Sequence, residues 1–144
     1  MKTIGIIGGG QLGMMLAERA LELGANSICL DPNPNCPASK ICKEVIACNY
    51  DDLEGLNLLG SKCDVLTYEF ENVPSDKLRY IKDRFNIPQG IMPLFDSQNR
   101  IREKENAKAH GLNTPRFKAI NSKEDLENYI DKQNESYKKK FDTN

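Results

Sequence analysis

No stretch of this chain approaches the ~20 consecutive apolar residues that cross a membrane. Its first residues also lack the unbroken apolar core of a secretory leader, because glycines interrupt them and a charged helix follows. An excess of positive charge is missing too. Lys and Arg number 20 against 21 Asp and Glu, a net charge of -1, so there is no basic surface of the kind that releases counterions on nucleic acid. Histidine is nearly absent. His110 stands without a cysteine or histidine close by and makes a poor metal site, so no metal ligand is assigned. The five cysteines (Cys29, Cys36, Cys42, Cys48, Cys63) are odd in number and contain no C-x-x-C pair. That is the pattern of reduced thiols in a cytoplasmic protein, not of a disulfide framework or zinc site. At 144 residues and 39% hydrophobic content, the chain has length for one domain, or one domain and the start of another, with a real core.

What is present is a run of glycines in a telling place. Gly8-Gly9-Gly10-Gln11-Leu12-Gly13 closes a short apolar strand, Ile4 to Ile7, and opens an amphipathic helix. A strand that turns on glycines into a helix aims free backbone N–H groups and the positive helix end at one point, which suits a phosphate. Residues without Cβ let that phosphate come close. Gly8, Gly10 and Gly13 have G-x-G-x-x-G spacing, and Asp31 follows a second strand where a ribose-binding acid of a dinucleotide fold would stand. An aspartate before proline also starts ordinary turns, so Asp31 has two readings.

Strands are expected at Lys2–Ile7, Ser27–Leu30, Val45–Ala47 and Asp64–Phe70, with helices between them. The first helix is expected to bury Leu12, Met15, Leu16, Ala20 and Leu23 and to end at Gly24. Three prolines in Asp31–Pro37 exclude helix there. A short helix with Leu53, Leu56 and Leu59 should stop at Gly60, and Asn72 with Pro74 should cap another. Alternation with short joints predicts an α/β fold, a Rossmann-like parallel sheet whose ligands gather at the carboxyl ends of the strands. Residues 1–97 form this domain. Residues 98–130 begin a second one, with a charged helix over Gln98–His110 stopped by Gly111, a strand over Arg116–Ile120, and a helix capped at Ser122. Residues 131–144 lack periodicity and are expected to fray as a polar tail.

Thr67-Tyr68-Glu69-Phe70-Glu71-Asn72-Val73-Pro74 is the other unusual segment. In strand alternation Glu69 and Glu71 share a side at a strand end, and two carboxylates there call for solvent, a cation or an amine between them. The bland alternative is a solvated strand end with a cap at Asn72. Arg100 and Lys104, at i and i+4, put two cations on one helix face. An anion would favour that pair, while Glu103 and Glu105 offer ordinary surface partners instead.

These segments together, Gly8 to Met15, Leu30-Asp31-Pro32, Cys63 to Pro74, Gln98-Asn99-Arg100 and Glu103-Lys104, resemble the amino-terminal part of the N5-carboxyaminoimidazole ribonucleotide synthase family of ATP-grasp enzymes, from Met1 to about Ile130. The resemblance implies a preATP-grasp domain followed by the start of an ATP-grasp domain. Its reaction joins bicarbonate to the exocyclic amine of aminoimidazole ribonucleotide, with ATP and Mg²⁺ as cofactors, in purine biosynthesis. It implies that Gly10, Gln11 and Leu12 face the ribonucleotide, that Glu69, Glu71 and Asn72 approach its aminoimidazole or ribose, and that Arg100 reaches ATP. Asn99 stands where the family usually has aspartate. Full-length relatives are commonly dimers.

The family's ATP-grasp lysine, glycine-rich lid and Mg²⁺-binding acids match nothing in these 144 residues. No residue is therefore assigned as catalytic, and the expectation is a polypeptide that does not turn over alone. An exposed apolar surface is expected with it. Two other readings stay open: a stand-alone ribonucleotide- or nucleotide-binding module, and an NAD-binding Rossmann domain resting on Gly8, Gly10, Gly13 and Asp31 alone.

Overall fold

A computed structural model describes residues 1–141 of the chain. They fall into two compact units, Met1–Glu103 and the residues from Lys104 onward. The first unit thus runs past residue 97. Its last turn is held by Arg102, whose guanidinium lies 3.7 Å from the Phe95 ring centre and donates to the Phe95 carbonyl at 2.8 Å.

Unit one is a parallel four-stranded sheet in the order β3-β2-β1-β4, built from β1 (Thr3–Ile7), β2 (Asn26–Leu30), β3 (Glu44–Ile46) and β4 (Val65–Tyr68). Strand alternation sorts the side chains into two cores. Ile7, Ile28, Leu30 and Leu66 face helices α2 (Leu53–Lys62) and α3 (Ser75–Ile81), meeting Leu56, Leu59, Leu78 and Ile81. Ile6 and Cys29 face the other way, onto Ala17 of α1 (Gln11–Glu22) and Ala38 of a 3₁₀ turn over Pro37–Lys40. Burying each of the large aliphatic side chains is worth about 1.5–3 kcal/mol. Pro37 opens that 3₁₀ turn, so the loop over Asp31–Pro37, expected to exclude helix, ends in the first residue of a helical turn.

The α1 stripe is not the one its large residues suggest. Its buried positions are Gly13, Ala17 and Ala20, whereas Leu12, Met15 and Leu16 are 51%, 54% and 40% exposed and Leu23 is exposed as well. The cause is proximity. A Cβ at Gly13 would collide with the Gly8 carbonyl oxygen, so the helix lies on the sheet at a distance that admits only small side chains. Gly60 does not stop α2 either. It lies inside the helix, where a Cβ would come 2.5 Å from the Phe85 ring. Asp52 caps α2, accepting from Glu54 and Gly55 N–H. At α3 the cap residue is Pro74, not Asn72, and it offers no side-chain acceptor. A further helix, α4 (Met92–Ser97), buries Leu94.

Helix α5 (Arg100–Ala109) starts on Asn99, whose side-chain oxygen accepts from Ile101 and Arg102 N–H. In unit two, Gly111, at φ +75°, ends it. No strand forms over 116–120. Helix α6 (Lys123–Phe141) follows, with Ser122 Oγ accepting from Asp125 N–H at 3.0 Å. The expected polar tail is therefore helical through residue 141, and its last residues, 142–144, lie outside the described ones. Between 123 and 141 there is no glycine or proline, and good helix formers with pairs such as Lys123–Glu127 at 3.5 Å sustain the helix without a core.

Candidate functional site

The strand order makes β1 and β4 neighbours whose following connections leave in different directions, and an open α/β sheet places its ligand crevice there. The loop after β1 is Gly8-Gly9-Gly10, and the loop after β4 is Glu69 to Pro74. Gly8 has φ +106°, a conformation that favours glycine. A Cβ on it would stand 3.3 Å from Phe70 Cβ and 3.8 Å from Glu69 Oε2. The Glu69 carboxylate and the glycine loop therefore meet. Gly10 is the N-cap of α1, with no atom within 4 Å of where its Cβ would be. The amides that open α1, at Gln11 and Leu12, belong to the first turn, which lacks carbonyl partners within the helix.

Glu69 is half-buried, while Glu71 and Asn72 are exposed. Because β4 ends at Tyr68, the pleat does not carry through to Glu71, which sits in the turn. That turn is clamped by Gln98, whose side-chain amide donates to the Glu71 carbonyl at 2.8 Å and the Val73 carbonyl at 2.7 Å. Gln89 supports β4 on its open edge. Its amide accepts from Tyr68 N–H at 3.3 Å and from Thr67 Oγ1 at 2.7 Å, and donates to the Tyr68 carbonyl at 3.1 Å. Tyr68 in turn donates its hydroxyl to the Gly90 carbonyl at 2.9 Å. Beside Glu69, a groove of about 430 Å³ is lined by Leu12, Met15, Leu16, Thr67 and Tyr68.

Asp31 is buried and faces its own chain. Its Oδ2 accepts from Gly9 N–H at 2.8 Å and from the Tyr50 hydroxyl at 2.7 Å, and Oδ1 accepts from Asn33 N–H at 2.9 Å. Of the two sequence readings, the turn residue is the one the geometry supports, since both oxygens are engaged within the protein. Burial, and then the bond to Asp31, hold the Tyr50 phenol well above its ordinary range and keep it a donor. The Tyr50 ring lies 5.3 Å from that of Phe70, so this network reaches the β4 loop as well.

Arg100 is exposed and pairs with Glu103 at 2.5 Å. Lys104 lies with its ammonium 6.0 Å from the Phe117 ring centre, and His110 meets the Asn106 carbonyl at 2.9 Å. Among the described residues no group of three or more His, Cys, Asp or Glu is arranged to hold a metal ion, and no helix is long and apolar enough to cross a membrane. Sequence reasoning missed Tyr50, Gln89 and the clamping role of Gln98. A lone tyrosine or glutamine in a loop carries no local signal, although Gln98 stood within a quoted motif.

Residues 1–94 match the family of the ribonucleotide synthetase preATP-grasp domain. A relative from Staphylococcus aureus (strain COL), an N5-carboxyaminoimidazole ribonucleotide synthase, is 43% identical over 129 residues, covering 90% of this chain and 34% of the relative. Among solved structures, the S. aureus N5-carboxyaminoimidazole synthetase complexed with ADP superposes with a TM-score of 0.87 at 42% identity, over 90% of this chain and 35% of that one. The Aspergillus clavatus synthase in complex with ADP and 5-aminoimidazole ribonucleotide gives 0.71 at 30% identity, over 76% and 30%. The chain spans about a third of the length of the curated relatives it matches.

Proposed function

Because the chain belongs to the N5-carboxyaminoimidazole ribonucleotide synthase family, as its amino-terminal preATP-grasp part, we propose that its crevice holds aminoimidazole ribonucleotide for ATP-dependent carboxylation by bicarbonate. The observation that carries this reading is the meeting of Glu69 Oε2 with the glycine loop. One end of the crevice offers main-chain donors and a helix N-terminus to a phosphate. The other offers a carboxylate and the exposed Glu71 and Asn72 to the ribose hydroxyls and the aminoimidazole amine. Gly10, Gln11 and Leu12 bind the phosphate side, and the open space above Gly10 is where it enters.

On this reading Arg100, exposed and within reach of solvent, exchanges Glu103 for an ATP phosphate. Among the described residues no group of three or more His, Cys, Asp or Glu is arranged to hold a metal ion, and no residue is assigned to Mg²⁺ on this reading. The division of labour gives this polypeptide substrate holding, and phosphate release from ATP by these 144 residues is expected to stay at background. Residues 1–97 carry the ribonucleotide side and 98–130 the beginning of the ATP side.

The same geometry weighs against a nicotinamide dinucleotide. An acid that binds the adenosine ribose must present free oxygens, and those of Asp31 are taken by Gly9, Asn33 and Tyr50. Titration calorimetry of the 144-residue chain tests both. Aminoimidazole ribonucleotide is expected to release heat and NAD none. Glu69→Gln is expected to weaken ribonucleotide binding by about tenfold, the worth of one charge-assisted hydrogen bond. NAD binding with no ribonucleotide heat would overturn the reading.

A further inference from the structure

The chain enters Glu69 under the hold of a side chain, not of a neighbouring strand. β4 lies at the edge of the sheet. Alongside it the Asn86 carbonyl accepts from Leu66 N–H at 2.8 Å, but Pro88, two residues on, has no N–H with which to continue a ladder. The Gln89 side-chain amide takes over at Tyr68. Its Oε1 accepts from Tyr68 N–H at 3.3 Å and Thr67 Oγ1 at 2.7 Å, and its Nε2 donates to the Tyr68 carbonyl at 3.1 Å. One planar amide thus meets both main-chain polar groups of Tyr68, as a facing residue of an antiparallel strand does. Building on the reading of the crevice as a ribonucleotide site, we propose that Gln89 is a positioning residue for it. Gln89 aims the Glu69 carboxylate, and so sets affinity for the sugar and base of the ligand but not for its phosphate.

Peptide geometry gives Gln89 its hold on Glu69. The Tyr68 carbonyl and the Glu69 N–H belong to one planar unit, so fixing that carbonyl fixes the direction in which the chain enters Glu69. Beyond Glu69 the chain is fixed again. Val73 N–H donates to the Phe70 carbonyl at 3.3 Å, Val73 is fully buried, and Gln98 grips the Glu71 and Val73 carbonyls.

The carboxylate itself has no such hold. Half-buried, it accepts no hydrogen bond and pairs with no cation among the described residues. A carboxylate in that state looks to solvent or to a ligand for its donors. Its place beside Gly8, with Oε2 3.8 Å from where a Cβ on Gly8 would stand, is therefore set by the main chain that carries it. The phosphate side is held separately, because Gly9 N–H is tied to Asp31 and not to β4.

Calorimetry with aminoimidazole ribonucleotide and an NMR titration with inorganic phosphate, both on the 144-residue chain, test the proposal. Gln89→Met keeps an unbranched side chain and removes all three bonds. Ribonucleotide affinity is expected to weaken by about three- to tenfold, the upper end being the loss of one charge-assisted hydrogen bond. Phosphate should shift the Gln11 and Leu12 amide signals with unchanged affinity. Thr67→Val removes only the hydroxyl that donates to Gln89, and a smaller loss in the same direction is expected. That variant also carries the test should Gln89→Met fail to fold. Because Gln89 acts through Glu69, Gln89→Met added to Glu69→Gln should weaken binding no further than Glu69→Gln alone, which a general loosening of the sheet edge would not give. Wild-type ribonucleotide affinity in both Gln89→Met and Thr67→Val, an equal loss of phosphate affinity, or additive losses in the double variant would overturn the role of Gln89 and leave the ribonucleotide reading standing. A wild-type chain that binds no ribonucleotide would overturn both.

Discussion

Tyr50 donates its hydroxyl to Asp31 Oδ2 at 2.7 Å, sharing that oxygen with Gly9 N–H at 2.8 Å. A residue from the loop after β3 thereby fixes the acid at the end of β2, and that acid fixes the glycine loop after β1. Three strand ends are tied at one carboxylate. The ligand-facing loop owes its shape to this tie, since glycines alone would leave it free.

Removing the phenol hydroxyl leaves Asp31 with its two main-chain donors. Tyr50→Phe is expected to lower stability by about 1–2 kcal/mol, the range for a hydrogen bond to a charged group. Urea unfolding checks it: the midpoint should fall with the slope unchanged.

Gly10 and Gly13 belong to one motif but answer to different demands. Gly10 has open space where a Cβ would go, and Gly13 has the Gly8 carbonyl oxygen. Gly10→Ala is expected to keep the fold, costing about 1 kcal/mol or less as a poorer helix cap, while losing ribonucleotide binding. Gly13→Ala is expected to cost about 3 kcal/mol or more, because backbone must shift. Thermal unfolding and calorimetry on both variants separate fold from function.

The α1 faces invert the usual expectation for large and small residues. Leu16→Gln is expected to change stability by about 0.5 kcal/mol or less and to improve solubility by breaking the exposed Leu12, Met15, Leu16 surface. Ala17→Leu, at a fully buried position, is expected to cost about 2–3 kcal/mol. Denaturant midpoints and soluble yield distinguish them.

Helix propensity and packing oppose each other at Gly60. Alanine gains about 1 kcal/mol in an exposed helix interior, but here its methyl meets the Phe85 ring. Gly60→Ala is expected to be destabilising overall, and Gly60→Ala combined with Phe85→Leu should recover part of the loss, a coupling that a double-mutant cycle reads directly.

Asp64 accepts from Lys2 Nζ at 2.5 Å and from Thr3 N–H at 2.8 Å, and these bonds, Lys2 first, hold its carboxyl below the usual range. A depressed native value means stability that is present above the unfolded value of about 4 and is lost as pH falls through the native one. The urea midpoint of the wild type should therefore fall more steeply in acid than that of Asp64→Asn, with the two curves converging once Asp64 is protonated.

Local chemistry made much of this protein legible in its sequence. Short continuous apolar runs such as Ile4–Ile7 and Ile28–Leu30 mark strands whose two faces are both covered. Glycines at 8 and 13 mark a strand-to-helix turn because the first takes a positive φ and the second leaves no room for a Cβ. The Thr67–Pro74 segment marked the family. Distance in space decided the rest. Whether Leu16 or Ala17 of α1 faces the sheet depended on how near Gly13 let the helix come. Whether Gly60 ended a helix depended on Phe85, far along the chain. Asp31 carried two readings until Tyr50 and Gly9 took its oxygens. Residues 131–141 looked like a tail because helical propensity without an apolar stripe leaves no periodic trace. In each case the deciding partner was remote in sequence or the signal was not hydrophobic, and only the assembled fold brings such terms together.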